Sequence, residues 1–141
     1  MDEKRGTVPV GVLLISINYT FGAIMLLAFL FINPTQISSM IAERHGLPTF
    51  TGPWILPAVA CLALMIAYGL YSLSKWGYAL TIGYLLYFGW INRVLYIEQA
   101  SWTYLGSIIW PSLVIFYLFL IRKRFFEKKV VRKTGRNAQT A

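Results

Sequence analysis

The 141 residues of the chain are 57% hydrophobic and only 13% charged, whereas a soluble domain carries charge on about a quarter of its residues. This composition excludes an ordinary water-soluble domain, and the length is that of a single domain. The net charge of +8 is uneven, because eight of the thirteen Lys and Arg residues lie between Arg122 and Arg136. We call residues 122–141 the basic tail. Because most of the positive charge lies there, the chain does not have an evenly basic globular surface.

The first apolar block runs from about residue 8 to residue 32. About 20 residues suffice for a helix to cross a bilayer. A cleaved signal peptide has a shorter apolar region, about 7–15 residues, and ends at small residues. This block instead ends in Phe31-Ile32-Asn33-Pro34, so it predicts a retained transmembrane helix.

The next segment has the signals of a short helix of its own. Asn33 suits the N-cap and Pro34 the first helical position, while Gly46 is a C-terminal cap residue. Apolar residues gather on one side in between. We predict an amphipathic helix over 34–45 along the outer membrane surface, with an irregular loop as the alternative.

Three more apolar blocks follow, at about 53–73, 76–97 and 102–121. The turn Ser74-Lys75-Trp76-Gly77 is so short that the second and third blocks must form an antiparallel hairpin. A polar break at residues 98–101 separates the last two blocks. The four apolar blocks therefore predict an all-α fold in which four transmembrane helices form one bundle.

Positive charge predicts the orientation, since Lys and Arg are retained on the cytoplasmic side. One side of a four-span bundle carries eleven such residues, eight in the basic tail and three at Lys4, Arg5 and Lys75. The other side has only Arg44 and Arg93. We predict a single transmembrane domain over residues 1–141 with both termini on the cytoplasmic side of the membrane.

Asn18, near the middle of the first helix, is the first candidate site residue. An amide in hydrocarbon needs a partner, so it should face another helix or a polar cavity. An interhelical hydrogen bond, of about 0.6–2 kcal/mol, is the favoured interpretation. Contact with a ligand or ion, near Ser16 and Tyr19, is the alternative.

The third helix carries a stripe of Tyr84, Phe88 and Asn92. Such a stripe suits a pocket for a quinone or another flat apolar ligand, although aromatic helix faces are more often packing surfaces. The aromatic residues near the helix ends fit an interfacial belt.

Arg93 lies about one turn inside the outer end of the third helix. Its guanidinium can extend to the interface as an anchor. Glu43 and Glu98 are candidate partners across the outer surface, although Glu98 is five positions away on a different helical face, so a direct pair within the helix is not expected. A substrate-binding arginine is the alternative.

Small residues predict where helices approach closely. Ala63 and Ala67 on the second helix, with Ala79 and Gly83 on the third, have the spacing that favours close packing within the hairpin. The single cysteine, Cys61, is expected to be a small buried hydrophobe.

The basic tail is predicted to contact anionic headgroups at the cytoplasmic face through Arg122, Lys123, Arg124, Lys128 and Lys129. Each basic residue near such a surface contributes about 1 kcal/mol. We expect lipid here rather than nucleic acid, for which a basic patch alone is a poor sign.

The sequence predicts no catalytic, cofactor or metal site. Its single histidine, His45, lies in the predicted outer loop, so no histidine pair can hold a haem. It has neither a Cys and His cluster for zinc nor a phosphate-binding glycine loop. No acidic residue lies within the predicted spans.

Four short pieces carry a resemblance: VPVGV at 8–12, AYGLY at 67–71, KWG at 75–77 and YLFLIR at 117–122. Through them the chain resembles a broad group of small four-helix membrane proteins of archaea and bacteria. In that group a Gly-Leu-aromatic run and a basic-Trp turn recur between the middle helices. The resemblance implies the architecture and a prokaryotic origin, and it transfers no functional residues.

These features favour a non-catalytic accessory subunit that packs against other membrane proteins, with a respiratory or other energy-converting complex as one host. A homo-oligomeric transporter or channel around Asn18, Asn92 and Arg93 is the alternative. A third hypothesis is a membrane enzyme that acts on lipid or quinone near His45. Self-association, in which the partner is another copy of this chain, is the alternative to other membrane subunits.

Overall fold

A computed structural model describes residues 7–49 and 52–126 of the chain. Within these residues the regular structure is entirely helical, which confirms the all-α prediction. The helices are α1 (Val10–Ile32), α2 (Pro34–Arg44), α3 (Ile55–Tyr71), α4 (Lys75–Gln99), α5 (Thr103–Leu120) and α6 (Arg122–Phe126). The bounds of the first five lie within about two residues of the predicted ones. Pro34 and Gly46 delimit α2, whereas the other four end where the apolar blocks end.

Two of the described helices, α1 with 23 residues and α5 with 18, are long and apolar enough to cross a membrane. Helix α3 is apolar but has 17 residues. Helix α4 is longer but more polar, since it contains Lys75, Asn92, Arg93 and Glu98. The prediction of four spans extends the membrane assignment to α3 and α4 and stays a prediction.

The helices pack in the order α1, α3, α4, α5. Their shared core lies at the end where α1 and α4 begin and α3 and α5 end, which we call the closed end. Its buried side chains are Val12, Ile15, Ile66, Leu70, Leu73, Leu85, Val114, Leu118 and Phe125. At the opposite end, which we call the outer end, α2 lies against α3 and α4.

The hairpin of α3 and α4 closes through two glycines. A Cβ atom added to Gly69 would lie 2.6 Å from the Cα of Gly77, closer than any side chain tolerates. The Ser74 side chain fastens this contact, because its Oγ accepts from the Gly77 N–H and donates to the Gly69 carbonyl. The predicted turn is displaced: Ser74 is the N-cap of α4, and Lys75 begins the helix.

The predicted small-residue contact within the hairpin is wrong. Ala79 and Gly83 are exposed on the outward side of α4, and a Cβ added to Gly83 would meet nothing within 4 Å. The glycines nearer the turn make the close contact instead, because the two helices are nearest where the chain reverses. Cys61 is also exposed rather than buried.

Candidate functional site

Helix α2 is a separate short helix at the outer end, because helix-breaking residues lie at both of its ends. Pro34 occupies its first turn, as predicted. Asn33 stands at the N-cap without a capping bond, and its Nδ2 donates instead to Gln36 Oε1 at 3.1 Å. Gly46 ends the helix with a φ of +66°, a conformation in which glycine is least strained.

This ending turns the His45 side chain into the bundle. The residue is 8% exposed, and its ring lies 5.2 Å from the ring of Phe88. Nδ1 lies 2.7 Å from the Ile41 carbonyl oxygen, which only accepts, so Nδ1 carries the proton. In the neutral ring Nε2 therefore accepts from the Tyr84 hydroxyl, at 3.1 Å.

Burial lowers the pKa of His45, and the charge of Arg44 lowers it further, while the bond to the Ile41 carbonyl acts in the opposite direction. The lowered pKa keeps the ring neutral at pH 7. A neutral ring matches the two hydrogen bonds just described.

Three side chains of α4 fasten the end of α2. Tyr87 donates its hydroxyl to the His45 carbonyl at 2.6 Å. The fully buried Asn92 donates from Nδ2 to the carbonyls of Arg44, at 3.2 Å, and Phe88, at 2.8 Å. Gln99 donates to Glu43 at 2.7 Å. Asn92 is therefore a structural residue that holds α2 against α4.

A cavity of about 420 Å³ lies beneath the end of α2, bounded by α1, α3, α4 and α5. Small-molecule sites are typically about 300–1,000 Å³ and mostly apolar, with a few placed polar groups. The polar and aromatic residues that line this cavity, besides His45, are Asn18, Tyr19, Arg44, Tyr84, Phe88 and Trp110. The cavity has the size and the lining of a ligand site.

Aromatic rings form one wall of the cavity. Tyr84 and Phe88 are stacked, with centroids 5.8 Å apart and planes at 24°. Tyr19 meets Tyr84 edge-on at 6.4 Å. These contacts hold the rings in place, so the wall is rigid and suited to a flat partner.

The structure brings together only some of the predicted site residues. Asn18 and Tyr84 line the cavity, but Asn92 is buried between α2 and α4. Arg93 is exposed outside the cavity, 5.9 Å from the Trp90 ring centroid. Asn18, Asn92 and Arg93, the residues of the alternative homo-oligomeric transporter or channel, therefore do not share one site within a single chain, and that alternative stays a prediction.

Two predicted side-chain contacts are not formed. Within the described residues the Asn18 side chain forms no hydrogen bond, so the favoured interhelical bond is wrong; the side chain is exposed and borders the cavity. Arg93 forms no ion pair with Glu43 in that part of the chain, because Glu43 accepts a hydrogen bond from Gln99 instead. Arg93 forms no pair with Glu98 either, as the five-residue spacing predicts.

The sequence assigns Arg44 to an outer surface and points to His45 only for the enzyme hypothesis, so it places neither residue in a cavity. The helix stop at Gly46 predicts where α2 ends, but it does not indicate which side of its last turn is covered. Nothing in the sequence indicates that Tyr84, 39 positions away, receives His45.

The described part of the basic tail forms α6 at the closed end. Arg122, Lys123 and Arg124 are exposed, whereas Phe125 is buried with its ring 5.1 Å from that of Tyr78. The predicted lipid contacts Lys128 and Lys129 lie outside the described residues. The three exposed residues thus lie on the surface at the end where anionic lipid contact was predicted.

Comparison of the chain with known protein families, with curated proteins and with solved structures finds no match. The resemblance to small prokaryotic four-helix membrane proteins stays a prediction. Within the described residues, no group of three or more His, Cys, Asp and Glu side chains is placed to hold a metal ion.

Proposed function

We propose that this chain is an integral membrane protein whose helices α1, α3, α4 and α5 all cross the bilayer, with both termini in the cytoplasm. Within the membrane it serves as a non-catalytic accessory subunit of a larger complex. Its site of action is its lipid-facing and partner-facing surface rather than a reaction centre.

The burial of the two most apolar helices carries the membrane assignment. Only 22% of the most apolar stretch of α1, and 22% of that of α5, is buried inside the protein. A core helix of a soluble protein is mostly buried. Large apolar residues such as Phe21, Phe31 and Phe116 are instead exposed, which suits hydrocarbon as the solvent.

Packing extends this assignment to α3 and α4. Val12 and Ile15 of α1 share a core with Ile66 and Leu70 of α3, and the helices are antiparallel. The turn between α3 and α4 spans only three residues. This packing supports a position of α3 and α4 in the same layer as α1 and α5.

The distribution of charge supports the orientation. Lys75 and the exposed cations of α6 lie at the closed end, where α1 also begins. Arg44 and Arg93 lie towards the opposite end. The positive-inside rule assigns the closed end to the cytoplasm.

Single-cysteine labelling tests the topology. In a Cys61→Ala background, Thr49→Cys places a thiol on the loop at the outer end, and Ser72→Cys places one in the hairpin turn. We expect a membrane-impermeant maleimide to label Thr49→Cys in intact cells and Ser72→Cys only after permeabilisation. Equal labelling of both positions in intact cells would contradict four spans with this orientation.

The outward face of α4 supports the accessory role. Ala79, Gly83, Leu86 and Trp90 follow one another at helical spacings of four, three and four, and all are exposed. Small residues allow another transmembrane helix to approach closely. A shallow groove of about 200 Å³ between α4 and α5 continues this face beside Trp90.

Purification from native membranes in mild detergent tests the accessory role. We expect the chain to co-purify stoichiometrically with larger membrane proteins, and Gly83→Trp to release them. Gly106→Trp is the matched control, because Gly106 is also exposed with nothing within 4 Å but lies on α5. Purification as a lone monomer, or equal loss in both variants, would overturn the role.

A further inference from the structure

We propose that the cavity beneath α2 binds a flat, apolar ring compound that carries carbonyl oxygens, a ligand of the quinone class. This binding function does not depend on the accessory role. It rests on the shape of the cavity, its aromatic wall and the hydrogen-bonding groups that face it.

The size of the cavity is the first observation. About 420 Å³ is enough for one or two fused six-membered rings with short substituents, and it falls in the range of small-ligand sites. Gly22 and Ala63 line it from α1 and α3, where their small side chains leave space. Helix α2 and His45 bound it on another side.

The aromatic wall favours a flat ligand. Tyr84 and Phe88 are stacked, and His45 and Tyr19 pack against them. Aromatic pairs prefer offset-stacked or edge-to-face geometries, which a planar ring can continue. A flexible acyl chain gains no such contact from this wall.

The hydrogen-bonding groups favour an oxygen acceptor. Arg44 offers five N–H donors and Asn18 offers two. In the described part of the chain neither side chain has a hydrogen-bond or ion-pair partner. The cavity lining contains no Asp or Glu, so it offers these N–H donors no carboxylate acceptor.

His45 is not one of these donors. Its Nδ1 proton is directed to the Ile41 carbonyl, and its Nε2 receives the Tyr84 hydroxyl. The imidazole therefore holds the aromatic wall in position. Arg44 and Asn18 remain to recognise the ligand, and a carbonyl oxygen between them would satisfy groups that are costly to leave unpaired in apolar surroundings.

Equilibrium titration of the purified full-length chain in detergent micelles tests the proposal, with protein-free micelles as the blank. Menadione supplies a fused ring with two carbonyls, and methylnaphthalene supplies the same ring without them. We expect saturable binding of menadione and binding of methylnaphthalene at least about tenfold weaker. Dodecanoate, a carboxylate on an acyl chain, is expected not to displace menadione.

Two variants locate the site. Arg44→Gln and Asn18→Leu should each weaken menadione binding about tenfold and leave methylnaphthalene binding unchanged. Their side chains have no partner in the described part of the chain, so unchanged thermal unfolding is expected. Arg93→Gln is the matched control, because this exposed arginine lies outside the cavity and should bind menadione as the parent does.

Three results would overturn the proposal. Equal affinity for menadione and methylnaphthalene would remove the role of the carbonyls. Displacement by dodecanoate would assign the cavity to an acyl amphiphile instead. Unchanged menadione affinity in both cavity variants would place the binding elsewhere.

Discussion

The protonation state of His45 depends on the groups that surround its ring. It accepts one hydrogen bond, donates another, and packs between the rings of Tyr84 and Phe88. Acceptance of the Tyr84 hydroxyl requires the neutral ring, whereas the bond donated to the Ile41 carbonyl favours the protonated one. Protonation would place a charge beside Arg44 in a poorly solvated position, which is why the pKa is lowered.

The lowered pKa predicts a dependence of stability on pH. Between the pKa of the folded protein and the ordinary value of about 6.5, the unfolded chain binds more protons at His45. Stability should therefore fall as the pH drops below about 6.5, with a slope of at most about 1.4 kcal/mol per pH unit. Thermal unfolding in detergent between about pH 7.5 and 5.5 measures this slope.

His45→Gln is the comparison for that experiment, because glutamine retains hydrogen-bonding groups without titrating in this range. We expect its unfolding temperature to change less over the same interval. Identical slopes in the two proteins would assign the pH dependence to other groups.

At the scale of helices, the contact between α3 and α4 depends on the absence of two side chains. Gly69 and Gly77 bring the backbones together, and the Ser74 hydroxyl bridges them. The hairpin therefore has one tight end near its turn. Towards the outer end, α3 and α4 face the cavity instead.

Two glycine-to-alanine substitutions on these helices should have opposite effects. Gly69→Ala places a methyl group against the backbone at Gly77 and should cost about 1–3 kcal/mol of unfolding free energy. Gly83→Ala meets nothing and should be neutral or stabilising by up to about 1 kcal/mol, since alanine is the better helix former. Reversible unfolding in mixed micelles gives both values. An equal loss in the two variants would contradict the glycine contact.

At the scale of the whole molecule, charge is separated along the bundle. The exposed residues Arg122, Lys123 and Arg124 lie at the closed end, and Lys75 lies 5.2 Å from the centroid of the Phe126 ring. Phe125 of α6 is buried and Phe126 is 48% exposed, while the three basic side chains are exposed. In the proposed membrane orientation, this charged surface suits anionic lipid.

We predict that anionic lipid stabilises the protein through this surface. The unfolding temperature should be higher in nanodiscs of anionic lipid than in those of neutral lipid. The physical reason is the attraction between each basic residue and the anionic headgroups, about 1 kcal/mol per residue near the surface. The triple variant Arg122→Gln, Lys123→Gln, Arg124→Gln should lose most of this difference. Arg93→Gln, a single exposed arginine towards the opposite end, should retain it. A full lipid effect in the triple variant would refute the prediction.

The sequence by itself predicted the all-α class and the approximate bounds of α1 to α5, because these are local properties, but it did not predict α6 and left a loop as the alternative to α2. Pro34 and Gly46 delimit α2, and unbroken apolar stretches delimit α1 and α5 within about two residues. Length and apolar content decide whether a helix suits a membrane, and both can be read without knowing the neighbours.

Only the tertiary structure decided which faces meet. Periodicity assigns residues to a helix face but does not say which element covers that face. Thus Asn92 and Tyr84 lie two turns apart on one stripe but make different contacts. Asn92 donates a hydrogen bond to the end of α2, and Tyr84 lines the cavity beside His45. The register of α2 against α4 depends on contacts made 39 to 56 positions apart along the chain, and those form only when the helices pack.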